Sequence, residues 1–188
     1  MDLTAMQRAC ASTDRIVEGV TPDHYDLATP CTEWTTGALL NHVLGTLALG
    51  AGLLADAEPT VNMAPGGLPD ADLVGGDPLK AYRVAVDELL AAAGGDALAR
   101  AHATPLGDMP GSVLGGFTTL DIAVHGWDLA RATGQVAALD DDLAGQVLAF
   151  ARQTITDTTR APRIGPEVAA GPGASPTDRL VAFLGRRP

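Results

Sequence analysis

The segment from Asp121 to Asp128 constrains the fold of this chain more than any other part of its sequence. It reads Asp-Ile-Ala-Val-His-Gly-Trp-Asp and lies within an apolar pattern with helical spacing. Residues four apart share one face of a helix, so Asp121 and His125 point the same way. Burying a carboxylate and an imidazole is costly unless each group has a partner. The segment therefore predicts a buried helix face that needs hydrogen-bond partners or a metal ion.

The rest of the chain predicts further helices joined by connections of uneven length. We expect helices over residues 3–20, 35–56, 78–93, 117–133 and 140–159, and a short last helix that is capped by Ser175 and Asp178 and ends at Gly185. Stretches rich in Gly, Pro and polar residues predict loops over residues 21–34, 58–77, 104–116 and 161–174, with a short extended segment as an option over 163–168. Four main helices with long crossover connections predict one all-α domain over residues 1–188, a four-helix bundle with a short C-terminal helix.

Composition supports this fold class and excludes some partners. Apolar residues make up 46% of the chain and aromatic residues only 4%, so the core is built from Ala, Leu and Val, which favours closely packed helices. The net charge of −11 would repel a phosphate backbone, which argues against a nucleic-acid partner. The acidic run at residues 140–142 is typical of a helix N-terminus. Cys10 and Cys31 do not form a disulfide framework.

Residues 37–57 are apolar enough to raise the question of a membrane span. Asn41, His42 and Thr46 interrupt this stretch, and no flanking basic anchors follow it. A buried helix of a bundle is the better interpretation. No secretory leader is visible, since Asp2, Arg8 and other charges interrupt the N-terminus. We expect a cytoplasmic protein without a membrane partner.

Two of the four histidines lie in apolar helical surroundings. His42 stands between Leu39 and Val43, and His125 shares a face with Asp121, whereas His24 and His102 have polar neighbours and are expected to be exposed. Two imidazoles and one carboxylate suit Zn²⁺, and also Fe²⁺, Ni²⁺ or Mn²⁺. From residue chemistry alone, His42, Asp121 and His125 are either metal ligands with an open position or hydrogen-bonded core groups, because the two helices need not face each other.

Other residues near these histidines have two interpretations each. Asp128 either orients an imidazole N–H or pairs with Arg131 on the surface. Trp34 and Trp127 are packing anchors or walls of a pocket. Cys31 is a buried inert thiol or a nucleophile near a helix N-terminus.

Three segments resemble the mycothiol-dependent maleylpyruvate isomerase N-terminal family. They are Thr29-Pro-Cys-Thr-Glu-Trp34 with Leu39-Leu-Asn-His-Val43, the segment from Asp121 to Gly134, and the ending from Ala174 to Pro188. The resemblance covers nearly the whole chain. It implies a DinB/YfiT-like four-helix bundle that holds a divalent metal, usually zinc or nickel, through three side chains. Carried over, these ligands are His42, Asp121 and His125. The resemblance also implies chemistry with a low-molecular-weight thiol such as mycothiol or bacillithiol.

Two departures from the family pattern limit what is carried over. The isomerase has glutamate where Asp121 stands, and the shorter aspartate requires a closer approach of its helix or monodentate binding. The isomerase also carries a second, C-terminal domain that these 188 residues do not include. Maleylpyruvate isomerisation is therefore not assigned to this chain.

Three functional hypotheses follow from the sequence. The first is an enzyme that uses a divalent metal and a thiol such as mycothiol to transfer or isomerise a small electrophile. The second is a non-catalytic metal- or small-ligand-binding bundle. The third is a structural bundle whose His and Asp residues are hydrogen-bonded core groups. The sequence favours the first hypothesis, and it is compatible with a homodimer.

Overall fold

Four helices lie side by side as a bundle in the computed structural model. They are α1 (Leu3–Glu18), α2 (Thr36–Leu54), α3 (Pro78–Ala92) and α4 (Gly111–Ala132), and α1 and α2 each contact both α3 and α4. The structure describes residues 1–58, 60–64, 66–105, 107–137, 139–160 and 164–188. A 3-10 turn, Pro22–His24, precedes α2. Three shorter helices follow the bundle: α5 (Asp141–Thr154), α6 (Asp157–Arg160) and α7 (Pro176–Phe183), of which α5 packs on both α4 and α7. The all-α prediction is confirmed.

Five of the helices begin where the sequence supplies a capping side chain. An Asp, Ser or Thr precedes the first turn and accepts a hydrogen bond from a backbone amide three residues on, at Asp2, Thr35, Asp77, Asp140 and Ser175. Ser175 and Asp178 form the predicted capping box of α7. These caps satisfy amides that lack a partner within the helix, so polar residues mark where these five helices start.

Small residues allow α4 to approach its neighbours closely. Gly126 lies against Thr13 of α1, whose hydroxyl donates to the carbonyl of Ile122 at 3.0 Å. Gly50 of α2 lies against Thr118 of α4. Since no side chain intervenes at these positions, the backbones come near enough for the side chains of α2 and α4 to meet across the bundle. This approach places the predicted ligands on facing surfaces.

Several element boundaries differ from those predicted. Helix α4 begins at Gly111, before the predicted residue 117, and a two-stranded antiparallel hairpin precedes it, formed by β1 (Ala101–His102) and β2 (Met109–Pro110). The glycines of the first turns of α4 suggested a loop, but they pack against other elements: Gly111 against the carbonyl of Ala97, and Gly116 against the ring of Phe150. Tertiary contacts outweigh the low helix propensity of glycine here.

Helix α5 also ends earlier than predicted. It ends at Thr154 because Ile155 adopts an extended conformation, and the separate turn of α6 follows. Residues 164–168 do not form a strand; the amide of Val168 donates to the carbonyl of Ala182. The part of the loop and extended-segment predictions that falls on residues 161–163 lies outside the described residues.

The prediction that His102 is exposed is wrong. His102 is buried between the end of α2 and the turn before the hairpin. Its Nδ1 lies 2.8 Å from Oδ1 of Asp56, and its Nε2 lies 2.7 Å from the carbonyl oxygen of Ala97. The polar neighbours of His102 along the chain gave no sign of Asp56, which is 46 residues away.

Helix α2 is the one described helix with the length and apolar composition that a membrane span requires. Half of the residues in its most apolar 18-residue window are buried within the bundle. Its buried residues include His42 and lie against α3 and α4. These contacts favour the core-helix interpretation of this stretch.

Candidate metal centre

The three predicted ligands meet between α2 and α4. Nε2 of His42 lies 3.0 Å from Oδ2 of Asp121, and Nε2 of His125 lies 3.4 Å from Oδ1 of the same carboxylate. The two imidazole rings are 4.9 Å apart between centroids and nearly perpendicular. Both histidines are buried, whereas the Asp121 side chain is 26% exposed. One carboxylate therefore stands between two imidazoles, and it is the most exposed of the three side chains.

The other nitrogen of each ring already has an acceptor. Nδ1 of His42 lies 2.6 Å from the carbonyl oxygen of Gly67, and Nδ1 of His125 lies 2.9 Å from Oδ2 of Asp128. A carbonyl oxygen only accepts, and so does an ionised carboxylate, so each Nδ1 has an acceptor, and we assign the proton of each neutral ring to Nδ1. In the neutral imidazoles both Nε2 atoms then present lone pairs. Two lone pairs face the oxygens of Asp121, an arrangement that requires a cation or additional protons.

This donor set fits a divalent metal. One ligand atom from each of His42, Asp121 and His125 can be chosen so that all three lie within 4.8 Å of one another. Ligand atoms about 2 Å from one zinc ion stand about 3 Å apart in a tetrahedral arrangement, close to the 3.0 Å and 3.4 Å that separate the two Nε2 atoms from the oxygens of Asp121. Imidazole nitrogen and carboxylate oxygen are ligands of zinc and of several other divalent ions. Metal binding by these three residues stays a prediction that their convergence supports.

The electrostatics of the group favour positive charge at the same point. Burial raises the pKa of Asp121, but His42 and His125 lower it by more, so the pKa lies well below its usual range. Burial lowers the pKa of His125, but Asp121 and then Asp128 raise it by more, so the pKa lies well above its usual range. The carboxylates thus stabilise a cation here, either a proton on the ring or a metal ion.

A second group of potential ligands, Cys31, His125 and Asp128, already contains a cation. Nη2 of Arg186 lies 2.8 Å from Oδ2 of Asp128 and 3.1 Å from Sγ of Cys31. The Cys31 thiol also donates to Asp128 at 3.3 Å. A guanidinium at this position would repel a metal ion, so the group at His42 is the better candidate among the described residues.

The structure decides between the two interpretations of Asp128. Asp128 is fully buried and contacts His125 and Arg186, not Arg131. Burial raises the pKa of its carboxyl, but the hydrogen bond with His125 and the charge of Arg186 lower the pKa to about 2. The guanidinium of Arg131 lies instead over the ring of Trp127, 5.5 Å from its centroid. The surface-pair interpretation is therefore wrong.

The two tryptophans have different surroundings. The ring of Trp34 lies 4.5 Å from that of His42 and 6.0 Å from that of His125, so it forms a wall of the candidate centre. Trp127 lines a cavity of about 10 Å³ next to Thr13 of α1, which has room for about one water molecule. Trp127 is a packing anchor. Thr46 also reaches the centre, with its hydroxyl 3.5 Å from Nε2 of His42.

Besides Thr46, two further partners of the centre were not predicted from the sequence. Gly67 contributes only a carbonyl from the loop between α2 and α3, and Arg186 follows α7, 58 residues after Asp128. A fully buried aspartate requires a partner, so the sequence signal for Arg186 was Asp128 itself. No local feature distinguishes Arg186 from the other arginines of the chain.

Comparison with known proteins provides relatives for the whole chain. A family model described as the mycothiol maleylpyruvate isomerase N-terminal domain matches residues 6–130. The chain is similar to two proteins from strains of Mycobacterium tuberculosis, each named an uncharacterized protein. Both are 36% identical over 187 residues, which cover 98% of this chain and 97% of each relative.

Two solved structures share the fold. They are crystal structures of the mycothiol-dependent maleylpyruvate isomerase and of a histidine-to-alanine mutant of it. The TM-scores are 0.55 and 0.58, and the sequence identities are 20% and 19%. Each alignment covers 78% of this chain and 66% of the isomerase chain, so this chain spans slightly less than two thirds of that length.

Proposed function

This chain belongs to the mycothiol maleylpyruvate isomerase N-terminal domain family, and from that membership we propose that it binds a divalent metal and uses a small thiol. The metal is zinc or nickel, its ligands are His42, Asp121 and His125, and the thiol is mycothiol. The reaction is a transfer or isomerisation of a small electrophile. One observation carries the metal site: two buried imidazoles, each with an oxygen acceptor at Nδ1, direct Nε2 at a single carboxylate.

The residues of the centre have separate roles in this proposal. Gly67 and Asp128 fix the ring orientations of the two histidines, and Asp121 supplies the negative charge. Trp34 shields one side of the centre, next to His42. When bound, a divalent ion would lower the pKa of a thiol. The three side chains supply one negative charge against the two positive charges of the ion, so the remaining positive charge would favour the anionic thiolate. The residues thus prepare a nucleophile at neutral pH.

The isomerase structures align with this chain over 66% of their length, and their identity to it is 20% or less. This similarity establishes a shared fold and does not identify the electrophile. We further propose that residues 1–188 act as one domain in the cytoplasm. Both cysteines are free thiols, in keeping with a reducing compartment.

Metal analysis of the purified protein tests the site. We expect close to one equivalent of zinc or nickel, lost in His42→Ala and in the nearly isosteric Asp121→Asn. His24→Ala is the matched control, because the His24 ring contacts only Thr21 among the described hydrogen bonds. Equal metal content in all four proteins, or none after reconstitution with Zn²⁺, would contradict the proposal.

A thiol titration then separates an enzyme from a non-catalytic binding protein. In the Co²⁺-substituted protein, mycothiol should change the visible absorption spectrum, because a thiolate enters the coordination sphere. The same addition to Asp121→Asn should leave the spectrum unchanged. A metal-loaded protein with no response to mycothiol would support the non-catalytic metal- or small-ligand-binding alternative.

A further inference from the structure

His125 is held by a carboxylate that has its own partner far along the chain. We propose that Asp128 and Arg186 are positioning residues for the centre: Asp128 fixes the His125 ring, and Arg186 fixes Asp128. The inference rests on the proposed metal site for its functional meaning. The contacts themselves are observed independently of that proposal.

The first step is the contact between Asp128 and His125. The two residues are three apart on α4, and Oδ2 of Asp128 lies 2.9 Å from Nδ1 of His125. This hydrogen bond keeps the proton on Nδ1 and directs Nε2 towards Asp121. Without it, the ring is free to rotate or to place its proton on Nε2, which removes the lone pair from the centre.

The second step is the contact between Arg186 and Asp128. Nη2 and Nε of Arg186 approach the two carboxylate oxygens at 2.8 Å and 3.3 Å, and the arginine side chain is 11% exposed. A planar guanidinium that binds both oxygens fixes the plane of the carboxylate as well as its position. Nη1 of Arg186 also donates to the carbonyl of Leu184, which leaves the side chain little freedom.

The third step is the turn that delivers Arg186 to this position. Helix α7 ends in a Schellman motif, in which the amides of Gly185 and Arg186 donate to the carbonyls of Ala182 and Val181. Gly185 has a φ of 84°, and a Cβ on it would lie 2.8 Å from the Cα of Gly165. Only glycine fits both conditions. The family model matches residues 6–130, so Arg186 lies beyond the matched region.

NMR of the His125 ring tests the positioning directly. The hydrogen-bonded Nδ1 proton should give a downfield resonance that exchanges slowly with solvent, with or without metal. We expect that resonance in the wild type and in Arg187→Gln, a control that changes the neighbouring exposed arginine. It should disappear in Asp128→Ala, persist in Asp128→Asn, which keeps an acceptor, and broaden in Arg186→Gln.

Competition titration with Zn²⁺ gives a second readout. Loss of a group that orients a ligand histidine weakens metal affinity by roughly 10- to 100-fold. We expect that loss in Asp128→Ala, smaller losses in Asp128→Asn and Arg186→Gln, and none in Arg187→Gln. If Asp128→Ala does not fold, Asp128→Asn and Arg186→Gln provide the test.

The two proposals fail in different ways. If Asp128→Ala and Arg186→Gln keep both the Nδ1 resonance and the Zn²⁺ affinity of the wild type, the positioning role is wrong. If the wild type binds Zn²⁺ no better than His42→Ala, the proposed metal site is wrong, and the Nδ1 resonance still decides whether Asp128 and Arg186 hold the ring.

Discussion

At the scale of single residues, partners distant in sequence decide what each side chain does. His102 and His125 are both buried, yet His102 joins α2 to the hairpin through Asp56, whereas His125 faces Asp121. The two cysteines differ in the same way. Cys31 touches the guanidinium of Arg186, and Cys10 lies in the apolar core. The apolar helical neighbours of His42 and His125 predicted both as candidate metal ligands. The polar neighbours of His102 led to the wrong prediction of an exposed side chain, because its partner Asp56 is distant in sequence.

Cys10 provides a prediction about alkaline pH. Burial raises the pKa of its thiol from 9.0 to about 12. A raised pKa in the folded state means that the stability contribution is complete below pH 9 and is lost as the pH rises towards 12. Over that interval, the free energy of unfolding should fall by about 1 kcal/mol per pH unit through this group.

Urea denaturation of the wild type and of Cys10→Ala between pH 8 and 11 measures this effect. The difference in unfolding free energy between the two proteins should change with pH only above about pH 9, in favour of the variant. A second variant, Cys31→Ala, controls for the general effect of removing a thiol. A difference that is constant over the whole range would contradict the prediction.

At the scale of elements, the helices could be predicted more fully than their packing. Capping residues such as Asp77 and Ser175 mark helix starts locally, so α3 and α7 begin where expected. The start of α4 was missed because Gly111 reads as a loop residue until Ala97 is placed against it. The contact of Arg186 with Asp128 was not predicted for a related reason. The order of the helices along the chain does not determine which helix ends lie next to each other.

The glycines of α4 and α5 should respond to alanine in opposite directions. A Cβ at Gly126 would overlap the Thr13 hydroxyl and push α1 from α4, whereas Gly145 of α5 has open space around it. We expect Gly126→Ala to destabilise the fold by about 1–3 kcal/mol. Gly145→Ala should stabilise it by about 0.5–1 kcal/mol through helix propensity. Urea denaturation of both variants checks this, and a shift of the same sign in both would contradict it.

Gly185 and Gly134 form a second matched pair. Both have positive φ values, but Gly134 has open space around it, whereas Gly185 touches Gly165 and precedes Arg186. Alanine at either position should cost about 1 kcal/mol in backbone strain. Only Gly185→Ala should also weaken Zn²⁺ binding, because it displaces Arg186. Equal Zn²⁺ affinities in the two variants would show that the turn does not position the arginine.

At the scale of the whole molecule, the candidate centre joins segments from across the chain. His42 comes from α2, Asp121, His125 and Asp128 from α4, Gly67 from the loop between α2 and α3, and Arg186 from the segment after α7. A ligand bound to such a centre stabilises all of these segments together. The proposed metal should therefore act on global stability.

Metal removal tests this coupling. At a free Zn²⁺ concentration 100 times the Kd, binding adds about 2.7 kcal/mol to the free energy of unfolding. For a chain of this size that raises the Tm by about 5–10 °C. Calorimetry with and without a chelator should show this shift in the wild type and no shift in His42→Ala. An equal shift in the variant would indicate binding of zinc elsewhere.

The contact between Cys31 and Arg186 spans 155 positions of sequence. Closing so long a loop is among the slower events of folding, because the chain entropy must be lost before the contact forms. During refolding, α2 and α4 can pair before the last arginine arrives. The hydrogen bond between His125 and Asp128 can form within α4 at that stage, while Asp128 still lacks its guanidinium, so we expect the segment after α7 to complete the support of the centre last.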